Sequence, residues 1–209
     1  MKSALILVDI QNDFSPQGAL AVPCGNEIIP VVNQLMPLVD VVVATKDWHP
    51  SGHSSFASTH RAPVGDIKIV NGVEQIMWPD HCIQGSLGSD FIPGLETENI
   101  AHVIYKGTHR DIDSYSGFFD NQDKFKTDLD DALQGLGINR LLIVGLATDY
   151  CVKFTALDAL RLGYHTAVVK DACRGVELSP GDIENAYQEI EAKGGTVISS
   201  SQIQQYLNQ

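Results

Sequence analysis

The chain of 209 residues has no apolar run approaching the roughly 20 residues that span a bilayer; Ala4 to Val8 is typical of its runs. No charged start with a small-residue cleavage site precedes that run, so a cytoplasmic protein without a membrane partner is expected. Positive charge is also scarce. Lys and Arg number 14 against 26 Asp and Glu, a formal charge of -12, and no basic patch offsets it, which excludes nucleic acid as an expected partner. Cysteine is sparse: the thiols of Cys24, Cys82, Cys151 and Cys173 have no close pairing, so free thiols are expected rather than a disulfide framework. Also missing are a Gly-rich phosphate fingerprint, a G-x-S-x-G elbow and an H-E-x-x-H motif, which argues against dinucleotide dehydrogenases and serine hydrolases.

Against these absences stands a regular pattern. Short Val- and Ile-rich runs recur at Ala4 to Val8, Val39 to Ala44, Ile100 to Tyr105, Leu141 to Leu146, Thr166 to Val169 and Thr196 to Ile198. Continuous apolar runs, as opposed to alternating ones, are the mark of strands buried on both faces. Helical spacing of apolar residues in segments 26–38, 126–135, 149–162 and 180–193 supplies the covering layers, with Gly137 and Gly163 as stop signals. The expected fold is α/β, a three-layer α/β/α arrangement around a six-stranded parallel sheet, forming a single domain over residues 1–209. The exception is the stretch from Asp47 to Gly94, rich in Pro and Gly and weakly periodic. A segment that long is functional or carries small elements of its own.

Ligands of open parallel sheets bind beyond the carboxyl ends of the strands, so the polar residues ending each apolar run are the candidates. Asp9 ends the first run, Lys46 and Asp47 with His49 follow the second, Lys106 ends the third, and Thr148, Asp149 and Cys151 follow the fourth. Cys151 is expected in the first turn of a helix capped by Thr148, where the helix dipole and a nearby lysine would favour a nucleophilic thiolate. Considered alone, each of these residues also fits a structural role: a buried small thiol, a loop-capping carboxylate, a lysine reaching solvent. Asp9 suits a general acid and base if it stands beside the thiol. Asp47 and His49, two residues apart, with the distant His81, suit a divalent metal that keeps positions open; zinc, iron and manganese all fit, and His53 is a further candidate ligand. Phe14, Trp78 and Tyr115 could wall a pocket for a flat ring.

Six segments, Val8-Asp9-Ile10-Gln11-Asn12-Asp13-Phe14, Thr45-Lys46-Asp47-Trp48-His49-Pro50, Trp78-Pro79-Asp80-His81-Cys82, Tyr105-Lys106-Gly107, Tyr115-Ser116-Gly117-Phe118 and Gly145-Leu146-Ala147-Thr148-Asp149-Tyr150-Cys151-Val152, together resemble the nicotinamidase (pyrazinamidase) branch of the isochorismatase-like cysteine hydrolases. The resemblance spans nearly the whole chain. It implies an Asp9, Lys106, Cys151 triad, metal ligands Asp47, His49 and His81 with zinc as the first expectation, and a ring sandwich from Phe14, Trp78 and Tyr115. It also implies a cis peptide at Leu146-Ala147 that turns the N–H groups of Ala147 and Cys151 into an oxyanion hole. The implied activity is hydrolysis of nicotinamide to nicotinate and ammonia through a Cys151 thioester in NAD salvage, with pyrazinamide as a second substrate. Assembly into a homo-oligomer is left open.

Two rival readings remain at this point. A sibling amidohydrolase acting on another carboxamide or carbamoyl compound would use the same residues. A metal-binding or thiol redox sensor would hold metal and a reactive Cys151 without turnover.

Overall fold

The computed structural model describes residues 1–208. Its strands are β1 (Lys2–Val8), β2 (Val41–Asp47), β3 (Ile67–Val70), β4 (Val73–Ile76), β5 (His102–Lys106), β6 (Ile138–Leu146), β7 (His165–Arg174) and β8 (Thr196–Ile198). Its α-helices are α1 (Ile29–Leu35), α2 (Ala57–His60), α3 (Leu129–Gly135), α4 (Lys153–Arg161), α5 (Asp182–Ala192) and α6 (Ile203–Leu207). Six strands form one parallel sheet in the order β5-β2-β1-β6-β7-β8. The chain leaves β1 toward β2 on one side and β6 on the other, so strand order reverses between β1 and β6, and the crevice of such a sheet opens beyond their carboxyl ends.

The apolar run of β1 shows why the sheet is covered twice. Leu5 and Leu7 join one cluster with Ile29, Val32 and Leu35 of α1 and Ile203 of α6. Ala4, Ile6 and Val8 point the other way, into a cluster with Leu129 and Leu133 of α3, Ala156 and Ala159 of α4 and Ile190 of α5. Each fully buried Leu, Ile or Val contributes about 1.5–3 kcal/mol of transfer free energy, so both faces drive assembly. Gly145 makes the central contact possible. It pairs with Val8, and a Cβ on it would lie 2.1 Å from the Val8 carbonyl oxygen.

Several boundaries differ from the sequence expectation. Segment 26–38 is not one helix; 3-10 turns at Gly25–Ile28 and Met36–Leu38 flank a short α1, with Pro30 and Pro37 each in the first positions of a new helical turn. Segment 149–162 opens with a π-helical turn, Thr148–Val152, before α4. Thr148 does not cap it through its side chain, and its buried hydroxyl lacks a hydrogen-bond partner. The stretch from Asp47 to Gly94 contains α2 and an antiparallel hairpin, β3–β4, whose two-residue turn is Asn71-Gly72, both at positive φ. Asn-Gly between apolar stretches is a strong hairpin signal that the weak periodicity of the surrounding stretch concealed. Among the described residues no helix is long and apolar enough to cross a membrane.

Candidate active site

Four adjacent strands each deliver one reacting group. Lys106 is the last residue of β5 and Asp47 the last of β2, and the two are paired in register. Asp9 follows β1 directly, fully buried and in the left-handed region at φ 49°. Cys151 lies in the π-helical turn after β6, 6% exposed, and the Leu146-Ala147 peptide before that turn is cis.

Lys106 Nζ is the hub. It stands 2.9 Å from Asp9 Oδ2, 2.5 Å from Asp47 Oδ1 and 3.3 Å from Cys151 Sγ, and donates to the Ser114 carbonyl at 2.8 Å. The other Asp9 oxygen, Oδ1, accepts from the buried Thr45 hydroxyl at 2.7 Å. Oδ2 has no well-aligned hydrogen bond despite the ammonium beside it. Donor atoms of Asp9, Asp47 and Cys151 lie within 4.8 Å of one another.

Burial pushes the Asp9 carboxyl up, Lys106 opposes this and Asp47 reinforces it, leaving Asp9 above its ordinary value. Burial works against ionisation of Asp47 too, but Lys106 and His49 outweigh it and hold that carboxyl well below the usual range. For Lys106, burial is overcome by the two carboxylates, and the ammonium stays charged. The Cys151 thiol corrects the sequence expectation. Burial, with Asp9 and Asp47 adding to it, outweighs the lysine and raises its pKa well above 9.0, so the resting sulfur carries its proton.

Asp47 divides its oxygens between two tasks. Oδ1 meets Lys106, while Oδ2 lies 3.6 Å from His49 Nε2 and 3.7 Å from His81 Nε2. A short parallel bridge, His49 with Ile83, brings His81 alongside, and Asp13 Oδ2 holds the turn by accepting from the Cys82 N–H at 2.7 Å. In both imidazoles Nδ1 faces a carbonyl oxygen, Gly107 at 3.0 Å and Pro79 at 2.8 Å, which places the proton on Nδ1 and the lone pair on Nε2. Tetrahedral ligands at bonds of about 2.0–2.1 Å lie roughly 3.4 Å apart, close to the spacing found here, so this carboxylate and two imidazoles fit a divalent metal ion.

His53 stands differently. Its Nε2 faces the His109 and Ile112 carbonyls at 3.0 and 3.2 Å, and its Nδ1 meets the Ser55 hydroxyl at 2.8 Å. Both ring nitrogens are engaged, and burial followed by the neighbouring His49 takes its pKa down to about 4. Its ring packs on His49 with centroids 4.2 Å apart.

Cys151, Ala147, Asp47 and His81 share one cavity with Phe14, Trp78 and Tyr115. Trp78 Nε1 donates to the Tyr115 hydroxyl at 3.0 Å, and Phe14 meets the His81 ring edge-on. Asp9, Lys106, Cys151, Asp47, His49, His81, Phe14, Trp78 and Tyr115 thus gather at one crevice, at the reversal of strand order, whereas Lys46 turns to Asp90 and the Phe91 ring, and Asp149 accepts from the Val176 and Glu177 N–H groups. Sequence reasoning missed Asp113 and Tyr150, which also line the cavity, and Thr45 beside Asp9. Thr45 ends the same apolar run as Asp47 and was open to the strand-end argument; Asp113 lies in a loop without periodicity and gave no signal. Cys24, Cys82 and Cys173 are free, as expected, and the latter two are buried away from solvent.

Comparison with known proteins identifies relatives over nearly the whole chain. The chain is 48% identical to an Escherichia coli nicotinamidase over 198 residues, covering 93% of each chain. Its structure is similar to that of an Acinetobacter baumanii nicotinamidase/pyrazinamidase, with a TM-score of 0.93 and 41% identity over 97% of this chain and 98% of the other. A Pyrococcus horikoshii pyrazinamidase in complex with zinc gives a TM-score of 0.78 and 38% identity over 95% and 99%. The family model described as Isochorismatase domain matches residues 3–202, and the chain belongs to that family of hydrolases.

Proposed function

We propose that this chain hydrolyses nicotinamide to nicotinate and ammonia through a thioester on Cys151, in NAD salvage, and accepts pyrazinamide as well. The observation that carries the reading is the meeting of Asp9 and Lys106 with Cys151, whose thiol lines a cavity walled by Phe14, Trp78 and Tyr115 beside the Asp47, His49 and His81 donors. Relatives named as nicotinamidase or nicotinamidase/pyrazinamidase support the choice of substrate.

The chemistry begins with a protonated thiol. Asp9 Oδ2 takes the Cys151 proton as sulfur attacks the carboxamide carbon, and the adjacent ammonium of Lys106 stabilises the sulfur as charge develops. The backbone N–H groups of Ala147 and Cys151 are the proposed donors to the oxyanion; losing one such donor typically costs about 2.7–4 kcal/mol. Asp9 returns the proton to the amide nitrogen, the C–N bond breaks and ammonia leaves. Asp9 then takes one proton from water as the water oxygen attacks the thioester; the C–S bond breaks, Asp9 passes that proton back to sulfur, and the nicotinic acid formed gives its remaining proton to solvent and leaves as nicotinate. Phe14, Trp78 and Tyr115 hold the ring between them, which converts a bimolecular encounter into an oriented one. Asp47, His49 and His81 would hold the divalent ion, which when bound supplies an electrophilic anchor for the ring nitrogen. Zinc is the proposed ion, because the donor set and spacing suit it and the Pyrococcus relative is in complex with it; iron and manganese accept the same ligands.

Ammonia release from nicotinamide and from benzamide, which has the same ring shape without its nitrogen, tests the assignment. Turnover of nicotinamide with strong preference over benzamide is expected. Absence of turnover with nicotinamide by metal-loaded protein would refute the substrate, and equal use of both amides would refute the anchoring of the ring nitrogen.

A further inference from the structure

The hairpin β3–β4 is mostly solvent-facing: Ile67 and Ile69 are 63% and 68% exposed. Of the residues in its two strands only Gln75 is buried, at 4%. A buried amide without partners is costly, and Gln75 avoids that cost by reaching into the active-site wall. Its Nε2 donates to the Ile76 carbonyl at 2.9 Å and to Asp113 Oδ2 at 3.1 Å, and lies 3.4 Å from the Tyr115 hydroxyl. That hydroxyl is the same one that accepts from Trp78 Nε1. Asp113, Tyr115 and Trp78 all line the cavity that contains Cys151. The other Asp113 oxygen accepts from the Ser114 N–H, and the Ser114 carbonyl in turn accepts from Lys106. Gln75 touches neither the thiol nor the metal donors.

We propose that Gln75 is a positioning residue for substrate binding: its amide ties the hairpin to Asp113 and Tyr115 and so fixes the Trp78–Tyr115 wall against which the substrate ring packs. The hairpin is thereby a structural part of the pocket, although its strands stand outside the main sheet and its faces are largely in water. The inference rests on the carboxamide reading above and adds to it the residue that sets the spacing of the ring-binding wall. A change at Gln75 alters the fit of the ring and leaves Asp9, Lys106 and Cys151 in place, so its signature is in KM and not in kcat.

The test compares wild type, Gln75→Met, Tyr115→Phe and the double variant by nicotinamide kinetics and by tryptophan emission. Methionine matches the glutamine in length and cannot donate. KM for nicotinamide is expected to rise roughly three- to tenfold in Gln75→Met, the range for one lost hydrogen bond, with kcat within about twofold. The double variant is expected to be less impaired than the product of the single effects, because both substitutions remove the same link. Tryptophan emission should shift in Gln75→Met without substrate, through Trp78; Trp48 packs elsewhere, against Tyr105 with Lys46 over its ring. Unchanged KM together with unchanged emission overturns the proposal, as does a loss confined to kcat. Wild-type protein that fails to turn over nicotinamide refutes the substrate reading instead, and the emission shift then still reports whether Gln75 sets the wall.

Discussion

Two carboxylates meet one ammonium at Lys106, and that meeting decides where the reacting proton rests. Asp47 keeps its charge, while Asp9 is raised and Cys151 is raised further from ionisation, so sulfur holds the proton until substrate arrives. Asp9 must be ionised to accept it. Activity should therefore fall as pH drops through a value above the ordinary 3.8 of an aspartate, because protonation removes the base. A kcat/KM profile checks this, and one that stays flat down to about pH 4 contradicts it. A metal titration separates the two neighbouring imidazoles: His49→Ala should lose affinity, whereas His53→Ala should bind nearly as wild type, because hydrogen bonds occupy both His53 nitrogens. Asp9, Asp47, Lys106 and Cys151 were legible in the sequence because each follows an apolar run. The direction of the thiol shift was not legible, since it depends on two carboxylates from different strands and on burial. Asp113 and Tyr150 likewise acquire a role only through the cavity they share.

At the level of elements, the site depends on close approaches that only glycine allows. Gly107 follows β5 at φ 63°, its carbonyl accepts from His49, and a Cβ there would lie 2.4 Å from His49 Cε1. Gly107→Ala should displace the imidazole and weaken metal binding by about 10- to 100-fold, the usual consequence of disturbing a ligand's support, while the sheet persists. Metal titration with circular dichroism on the same sample checks both parts; unaltered affinity would contradict the account. The strands themselves were readable because burial on both faces leaves continuous apolar runs. Helix α1 was overestimated: Pro30 and Pro37 divide segment 26–38 into short turns, although its apolar spacing is helical throughout. The hairpin escaped notice for the opposite reason. Its strands alternate in exposure, but apolar Ile67 and Ile69 face out and polar Gln75 faces in, so hydropathy did not mark the buried face, while Asn71-Gly72 pointed toward a hairpin.

Across the whole molecule, the fold shelters three thiols as neutral groups. Cys82, Cys151 and Cys173 are buried and raised above 9.0, and burial takes Cys173 up to about 12. A raised pKa in the folded state contributes stability fully below 9.0 and loses it as pH climbs toward the folded value. Thermal unfolding should accordingly hold its Tm up to about pH 9 and decline above it, and Cys173→Ala should lessen the decline; a Tm unchanged across that alkaline window would contradict the assignment. The parallel sheet explains why residues as distant in sequence as Asp9 and Cys151 act together: β1 and β6 are neighbours at the reversal of strand order, and their carboxyl ends share one crevice. Thioester chemistry at Cys151 is tested by ammonia release from nicotinamide by wild type and Cys151→Ala in one assay, with both proteins folded and metal-loaded. Wild type should release ammonia, and the variant should lose at least about a thousandfold of that rate. Release by Cys151→Ala at near the wild-type rate would contradict that chemistry.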